Sequence, residues 1–193
     1  GESALDAAVT GGDNTAIGKN ALTALTSGSF NTAVGSAVLD AITTGTRNTS
    51  VGYGSLSAIT TGGGNTAIGM QALVANTTSD NNTAVGRDAM VSNTTGTGTA
   101  LGAFSLDANT TGTNNTAIGD SALGANTTAA NNTAVGKDSL KLNTTGHSNV
   151  AVGSGALDAN TTANQNTAIG YLSLSSSTTG SDNTAVGRAT LFD

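Results

Sequence analysis

Cysteine, proline and tryptophan are absent from the 193 residues, and three Phe and two Tyr supply all the aromatic volume. Without cysteine there is no disulfide framework and no thiolate-ligated zinc or iron–sulfur site. A compact globular core of this length normally draws on more aromatic bulk, so something else must hold the chain together. Charge is scarce too: 9% of residues are charged, with 6 bases against 12 acids and a formal net charge of -6. That leaves no basic footprint for nucleic acid and too little charge density for an ordinary disordered tail. No apolar run approaches the roughly 18 residues a membrane-spanning helix needs, so no membrane insertion is expected of this segment. The opening Gly1-Glu2-Ser3-Ala4-Leu5-Asp6 lacks the pattern of a signal peptide.

What the chain has is repetition. The string Asn-Thr-Ala-(Val/Ile)-Gly recurs, as in Asn14–Gly18, Asn31–Gly35 and Asn65–Gly69, and its closing glycines stand 17 residues apart in every step but one, the 16-residue step from Gly86 to Gly102. Residues 1–193 therefore read as a single array of about eleven units, and the interrupted repeats at both ends suggest a window cut from a longer repeat region.

Numbering each unit from its Asn, position 4 is aliphatic throughout, including Val34, Ile68, Val85, Ile118, Val135 and Ile169. Position 9 is Leu or once Met, including Leu22, Leu39, Leu73, Leu123, Leu140 and Leu157. Position 8 is small, positions 13–15 usually read Thr-Thr-Gly, and positions 6, 7, 10, 16 and 17 vary and carry nearly all the charge. Seventeen residues are too few for the helix pairs of ankyrin or tetratricopeptide repeats, and Thr, Asn and Gly disfavour helix. The unit instead fits one coil of an all-β, parallel β-solenoid: a strand over positions 1–4, a glycine bend, a second strand over about 7–12, and a Thr-Thr-Gly return. Coils paired in register about 4.8 Å apart would build a rod on the order of 50 Å long. The residue missing from the short unit falls at the variable corner before Gly98, where a bend can absorb it.

Asn14, Asn31, Asn48, Asn65, Asn82, Asn115, Asn132, Asn149, Asn166 and Asn183 would stack as one amide ladder. A second file occupies position 12 from Asn76 to Asn160, where the earlier units carry Leu25, Ile42 and Ile59. Strand alternation sets Ala at position 3 against the aliphatic at 4, and the small residue at 8 against Leu at 9. A coil this narrow has room for one large column inside, so the other would face outward and be covered by further chains. The alternative is that both columns fill a single-chain core.

The phrase Asn-Thr-Ala-Val-Gly-x-x-Ala-Leu-x-x-Asn-Thr-Thr-Gly, nearly complete in Asn82–Thr97 and Asn115–Asn131, resembles repeats of bacteriophage tail fibres and related bacterial surface proteins. Its Ala-Ile-Gly core is similar to the Asn-Ser-Val-Ala-Ile-Gly head repeat of trimeric autotransporter adhesins, although Thr stands where that repeat has its first Val. The resemblance spans the whole chain and implies a trimeric left-handed β-roll with position 4 facing the shared three-fold axis. It also implies an extracellular location, on a cell surface or a virion.

Chemistry-bearing residues are sparse. His147 is the only histidine and sits at variable position 16; Asp6, Asp40, Asp107 and Asp158 share position 10 but are two or more coils apart, too far for a retaining carboxylate pair or one calcium shell. Lys19, Arg87, Lys137 and Arg188 at position 6 read as solubilising rim charges. No enzyme active site, cofactor or metal is expected. The sequence supports a structural shaft or head of an extracellular fibre, self-associating as a homotrimer or fibre polymer. The alternatives are a module that binds a host-surface receptor or glycan and, less favoured, an ice-binding protein, since adjacent threonines at 13 and 14 cannot form a flat two-file plane.

Overall fold

The computed structural model describes residues 1–191 and shows a parallel β-solenoid. Eleven short strands lie side by side in chain order as one sheet: β1 (Thr15–Ile17), β2 (Thr32–Val34), β3 (Thr49–Val51), β4 (Thr66–Ile68), β5 (Thr83–Val85), β6 (Gly98–Leu101), β7 (Asn115–Ile118), β8 (Thr133–Val135), β9 (Val150–Val152), β10 (Thr167–Ile169) and β11 (Thr184–Val186). Every neighbouring pair is parallel and pairs like with like, Thr15 with Thr32, Ala16 with Ala33, Ile17 with Val34. The 16-residue unit keeps this register, with Thr83 opposite Thr99 and Val85 opposite Leu101. The missing residue is thus absorbed at the corner, as expected.

The second strand expected over positions 7–12 does not form. Position 7 adopts a left-handed backbone, as at Asn20 (φ 57°) and Asp138 (φ 57°), and so does position 9, from Leu140 (φ 48°) to Leu22 (φ 55°). Two such residues separated by one other curl the segment into turns, yet its hydrogen bonds still run from coil to coil: the Leu22 N–H donates to Val38 O (3.1 Å) and the Ala24 N–H to Asp40 O (3.2 Å). The conformation also overturns the expected alternation there, since Ala122 and Leu123, neighbours at positions 8 and 9, are both fully buried.

This backbone explains the two columns. A left-handed L-residue costs roughly 1–2 kcal/mol, and full burial of a leucine returns about 1.5–3 kcal/mol, so burial of the position-9 side chain offsets the strain of its backbone. A β-branched residue at positive φ is a steric outlier, which restricts the position to Leu and Met90. Position 4 lies on extended backbone, where Val and Ile are favoured. The closing glycine is required by geometry. Gly119 has φ +136°, and a Cβ there would sit 2.6 Å from the backbone of Gly136 in the next coil.

The interior is narrow: an Ala file at position 3, small residues at 8, the Leu file at 9, and two polar or mixed files at the corner. In the position-1 ladder, Asn31 donates to Asn14 Oδ1 through both its backbone N–H (3.0 Å) and its amide (3.1 Å), while the same amide reaches Gly45 O across its own coil (2.9 Å). The position-12 file repeats the device: Asn109 donates to Asn93 Oδ1 (2.8 Å) and Asn126 to Asn109 Oδ1 (2.9 Å). Both files converge on the position-15 carbonyl, so that Gly146 O accepts from Asn132 and Asn143, each at 2.9 Å. Where the file is instead Leu25, Ile42 and Ile59, those side chains are fully buried. The file ends at Asn160, whose Oδ1 is buried without a partner because Ser177 follows at position 12.

Denaturation should reveal this division of labour. Leu123→Ala is expected to cost about 2–5 kcal/mol through a buried cavity, and Asp120→Ala, at an exposed site, to stay within about 0.5 kcal/mol. Leu123→Ile keeps the volume yet should exceed the roughly 1.5 kcal/mol such a swap ordinarily costs, since it places a β-branched residue at φ 52°.

Candidate functional site

The outward face of the sheet is a regular surface that the interior does not use. Position 3 points inward, with Ala33, Ala67, Ala117 and Ala168 fully buried, so position 4 points out: Ile17 is 58% exposed, Leu101 46% and Val186 65%. Ile68, Ile118 and Ile169 are exposed as well, and Val34, Val85 and Val135 half-buried. Of the two large columns, position 9 therefore fills the core and position 4 does not; the alternative in which both are internal is overturned for position 4. Period-2 alternation places position 2 on the same face. It carries Thr in every strand except β9, which has Val150. The face is thus a lattice of one hydroxyl-bearing and one aliphatic file, each repeating at the strand spacing of about 4.8 Å. This threonine file escaped the reading of the sequence, although the alternation that placed position 4 would also have placed position 2.

The threonines at position 13 are committed elsewhere. Most of their hydroxyls donate to the position-13 carbonyl of the next coil, as in Thr26 to Thr43 (3.0 Å), Thr110 to Thr127 (3.1 Å) and Thr144 to Thr161 (3.0 Å). They form a third ladder at the surface, and position 14 is exposed beside it, as at Thr44, Thr95 and Thr145.

The chemistry-bearing side chains remain scattered. His147 is exposed, with Nδ1 3.3 Å from Ser148 Oγ. Among the described residues no three His, Asp or Glu side chains come together. Lys19 pairs with Glu2 (3.0 Å), and Arg87 lies 3.6 Å from Asp88 and 4.4 Å from the Phe104 ring centroid. Arg188 lies over Tyr171 at 5.7 Å. With Lys19, Glu2 and Arg87 each more than half exposed, these ion pairs contribute little to stability.

Three position-10 carboxylates are perturbed. Burial raises the pKa of Asp40, Asp107 and Asp158 above the ordinary aspartate value, against the lowering effect of backbone N–H groups, their own and the next residue's. Asp88 adds to the rise at Asp107; at Asp158 Asp138 adds to it and Lys141 opposes it. Asp40 Oδ1 and Asp158 Oδ1 are buried without hydrogen-bond partners, which accords with the cost of desolvating a carboxylate that lacks a counter-charge.

No protein family, curated protein or solved structure matches the chain. The geometry itself supplies two surface features, the outward sheet face and the irregular corner of the middle coils.

The raised carboxylates set a pH dependence. A carboxyl whose pKa is higher folded than unfolded contributes stability below its unfolded pKa, and that contribution is lost as pH rises through the folded value. The triple variant Asp40→Asn, Asp107→Asn, Asp158→Asn should therefore melt higher than the parent at neutral pH. The gap should close as pH falls through the carboxylate range, as followed by circular dichroism.

Proposed function

We propose that this chain is a structural segment, shaft or head, of an extracellular fibre at a cell surface or on a virion, and that it works as an assembly of identical copies joined through the sheet face. The observation that carries the reading is the unbroken position-4 file. A single chain leaves Ile17, Ile68, Leu101, Ile118, Ile169 and Val186 more than a third exposed in one line. Monomers rarely expose so continuous an apolar surface.

The choice of partner follows from periodicity. A ridge repeating every 4.8 Å or so over eleven strands is matched along its whole length only by a surface of the same pitch. A second copy provides that pitch automatically, so burying one coil's aliphatic buries all of them. A homotrimer around a common axis, the arrangement the adhesin-type repeat resemblance implies, places three such faces together; a longer fibre polymer is the other outcome. Identical coils also make a rod of uniform stiffness whose length scales with the number of units. That suits a spacer.

One observation favours a second reading. Hydroxyl and methyl groups in regular files on a sheet are also the kind of lattice that can order water, so ice binding by the free face is the competing use of the same surface.

Light scattering separates the two. The parent should show a mass that is a multiple of 18.5 kDa. The variant Ile68→Asp, Ile118→Asp, Ile169→Asp changes only side chains exposed in the single chain, and should keep its circular dichroism while falling to one chain's mass. A parent that is monomeric and shows thermal hysteresis would overturn the fibre reading in favour of ice binding.

A further inference from the structure

Several breaks of the repeat coincide at one corner of the middle coils. In most coils positions 16 and 17 carry side chains, as in Ser29-Phe30, Thr46-Arg47 and Thr113-Asn114. In one coil both are glycine, Gly63-Gly64. Two coils further on, position 17 is missing altogether and Gly98 replaces the ladder asparagine. Two hollows result, of about 260 Å³ beside Gly63 and Gly64 and about 420 Å³ beside Gly98. They share Asp80 and Asn81 as a common wall, so they form one groove along the rod axis, with centres roughly 10 Å apart at about 4.8 Å per coil.

The deletion also frees backbone acceptors. In the other coils the position-17 N–H donates to the position-16 carbonyl of the preceding coil, for example Arg47 to Ser29 O (3.0 Å), Asn81 to Gly63 O (3.0 Å) and Asn131 to Thr113 O (3.0 Å). The donor that would serve Asp80 O is the residue the short coil lacks. At the next coil the Asn114 N–H turns to the Thr97 hydroxyl (3.3 Å), leaving Thr97 O without a bond as well. Asp80 Oδ1 accepts from the Gly63 N–H (2.7 Å), and its second oxygen remains for a ligand. The groove is therefore rich in acceptors, flanked by the amides of Asn81 and Asn114. Arg47 stands at one end, 6.0 Å from the ring centroid of exposed Phe30.

We propose that this groove binds an extended, neutral oligosaccharide. Its acceptors call for a ligand dense in hydroxyl donors, and two hollows two coils apart suit a chain with a regular repeat. One carboxylate and one guanidinium give no net field for a charged polymer and too few charged oxygens to hold calcium. A peptide would bind by adding to a sheet edge, and every strand beside the groove is already paired on both sides. Phe30 and Arg47 offer a stacking face at the end of the track. Natural folds break local rules mostly where function is served, and here three breaks of the repeat meet in one groove. The site lies off the position-4 file and does not depend on self-association.

The test repairs the repeat. One variant inserts an asparagine between Thr97 and Gly98, and a second is Gly64→Asn; each supplies what other coils carry at position 17, where Asn81 and Asn114 have φ of 59° and 57° and Gly64 has 70°. Both should fold, with melting temperatures equal to or above the parent's. Labelled protein, in the assembly it adopts, is titrated with maltohexaose, cellohexaose, chitohexaose and mannohexaose while amide shifts are followed. At least one sugar should move the amides of Asn81, Thr97 and Asn114, and the insertion should weaken that sugar by about tenfold or more. No shift at those amides with any of the four, equal affinity in the insertion variant, or capture there of an unstructured decapeptide in place of the sugars would overturn the proposal.

Discussion

The structure depends on one constraint: most of the backbone hydrogen bonds of each coil are made to the neighbouring coil, in register. Among the described residues there is no helix, and only three or four residues per coil form a strand. The remaining positions still bond axially, through left-handed turns as readily as through extended chain. A slip by a single residue would set Asn against Thr and Leu against a small residue in every coil at once. The amide ladders act against that slip. An asparagine at position 1 accepts from the next coil and donates both to the previous one and across its own corner, so three contacts are lost together if the register moves.

That constraint divides the large side chains between two tasks. The left-handed backbone at position 9 demands an unbranched Cβ, and burial of the leucine there offsets its strain. The extended backbone at position 4 admits Val and Ile but points them away from a core already filled by alanine. An interior this thin has no room for aromatics, and Phe30, Tyr53 and Tyr171 all lie exposed on the surface. Whatever covers position 4 must come from outside the single chain.

Much of this was legible in the sequence because repetition averages out local ambiguity. The strict leucines, the asparagine files and the tolerance of the short unit at its corner each pointed to axial stacking, and the paired register of β5 and β6 bears that out. What misled was the assumption that positions 7–12 are extended. Left-handed residues there are Asn, Ala, Gln, Asp, Ser, Phe, Leu and Met as well as glycine, so no composition signal marks them, and the expected opposition of positions 8 and 9 failed with them. The groove was hidden for a different reason. Gly63, Gly64 and Gly98 are unremarkable one at a time in a chain with 27 glycines; only stacked coils show that they line up with a missing residue and leave Asp80 O unbonded.

The winding of each unit once about the rod axis is tested most directly by distances along a single chain. The absence of native cysteine makes paired spin labels clean. Labels at Lys19→Cys and Arg87→Cys follow β1 and β5, four steps apart, and labels at Lys19→Cys and Lys137→Cys follow β1 and β8, seven steps apart. With labelled chains diluted into unlabelled ones, electron–electron resonance should give separations of about 19 Å and about 34 Å, in proportion to the coil count at roughly 4.8 Å per step. Separations that do not scale as four to seven, or a broad distribution without a peak, would contradict the account.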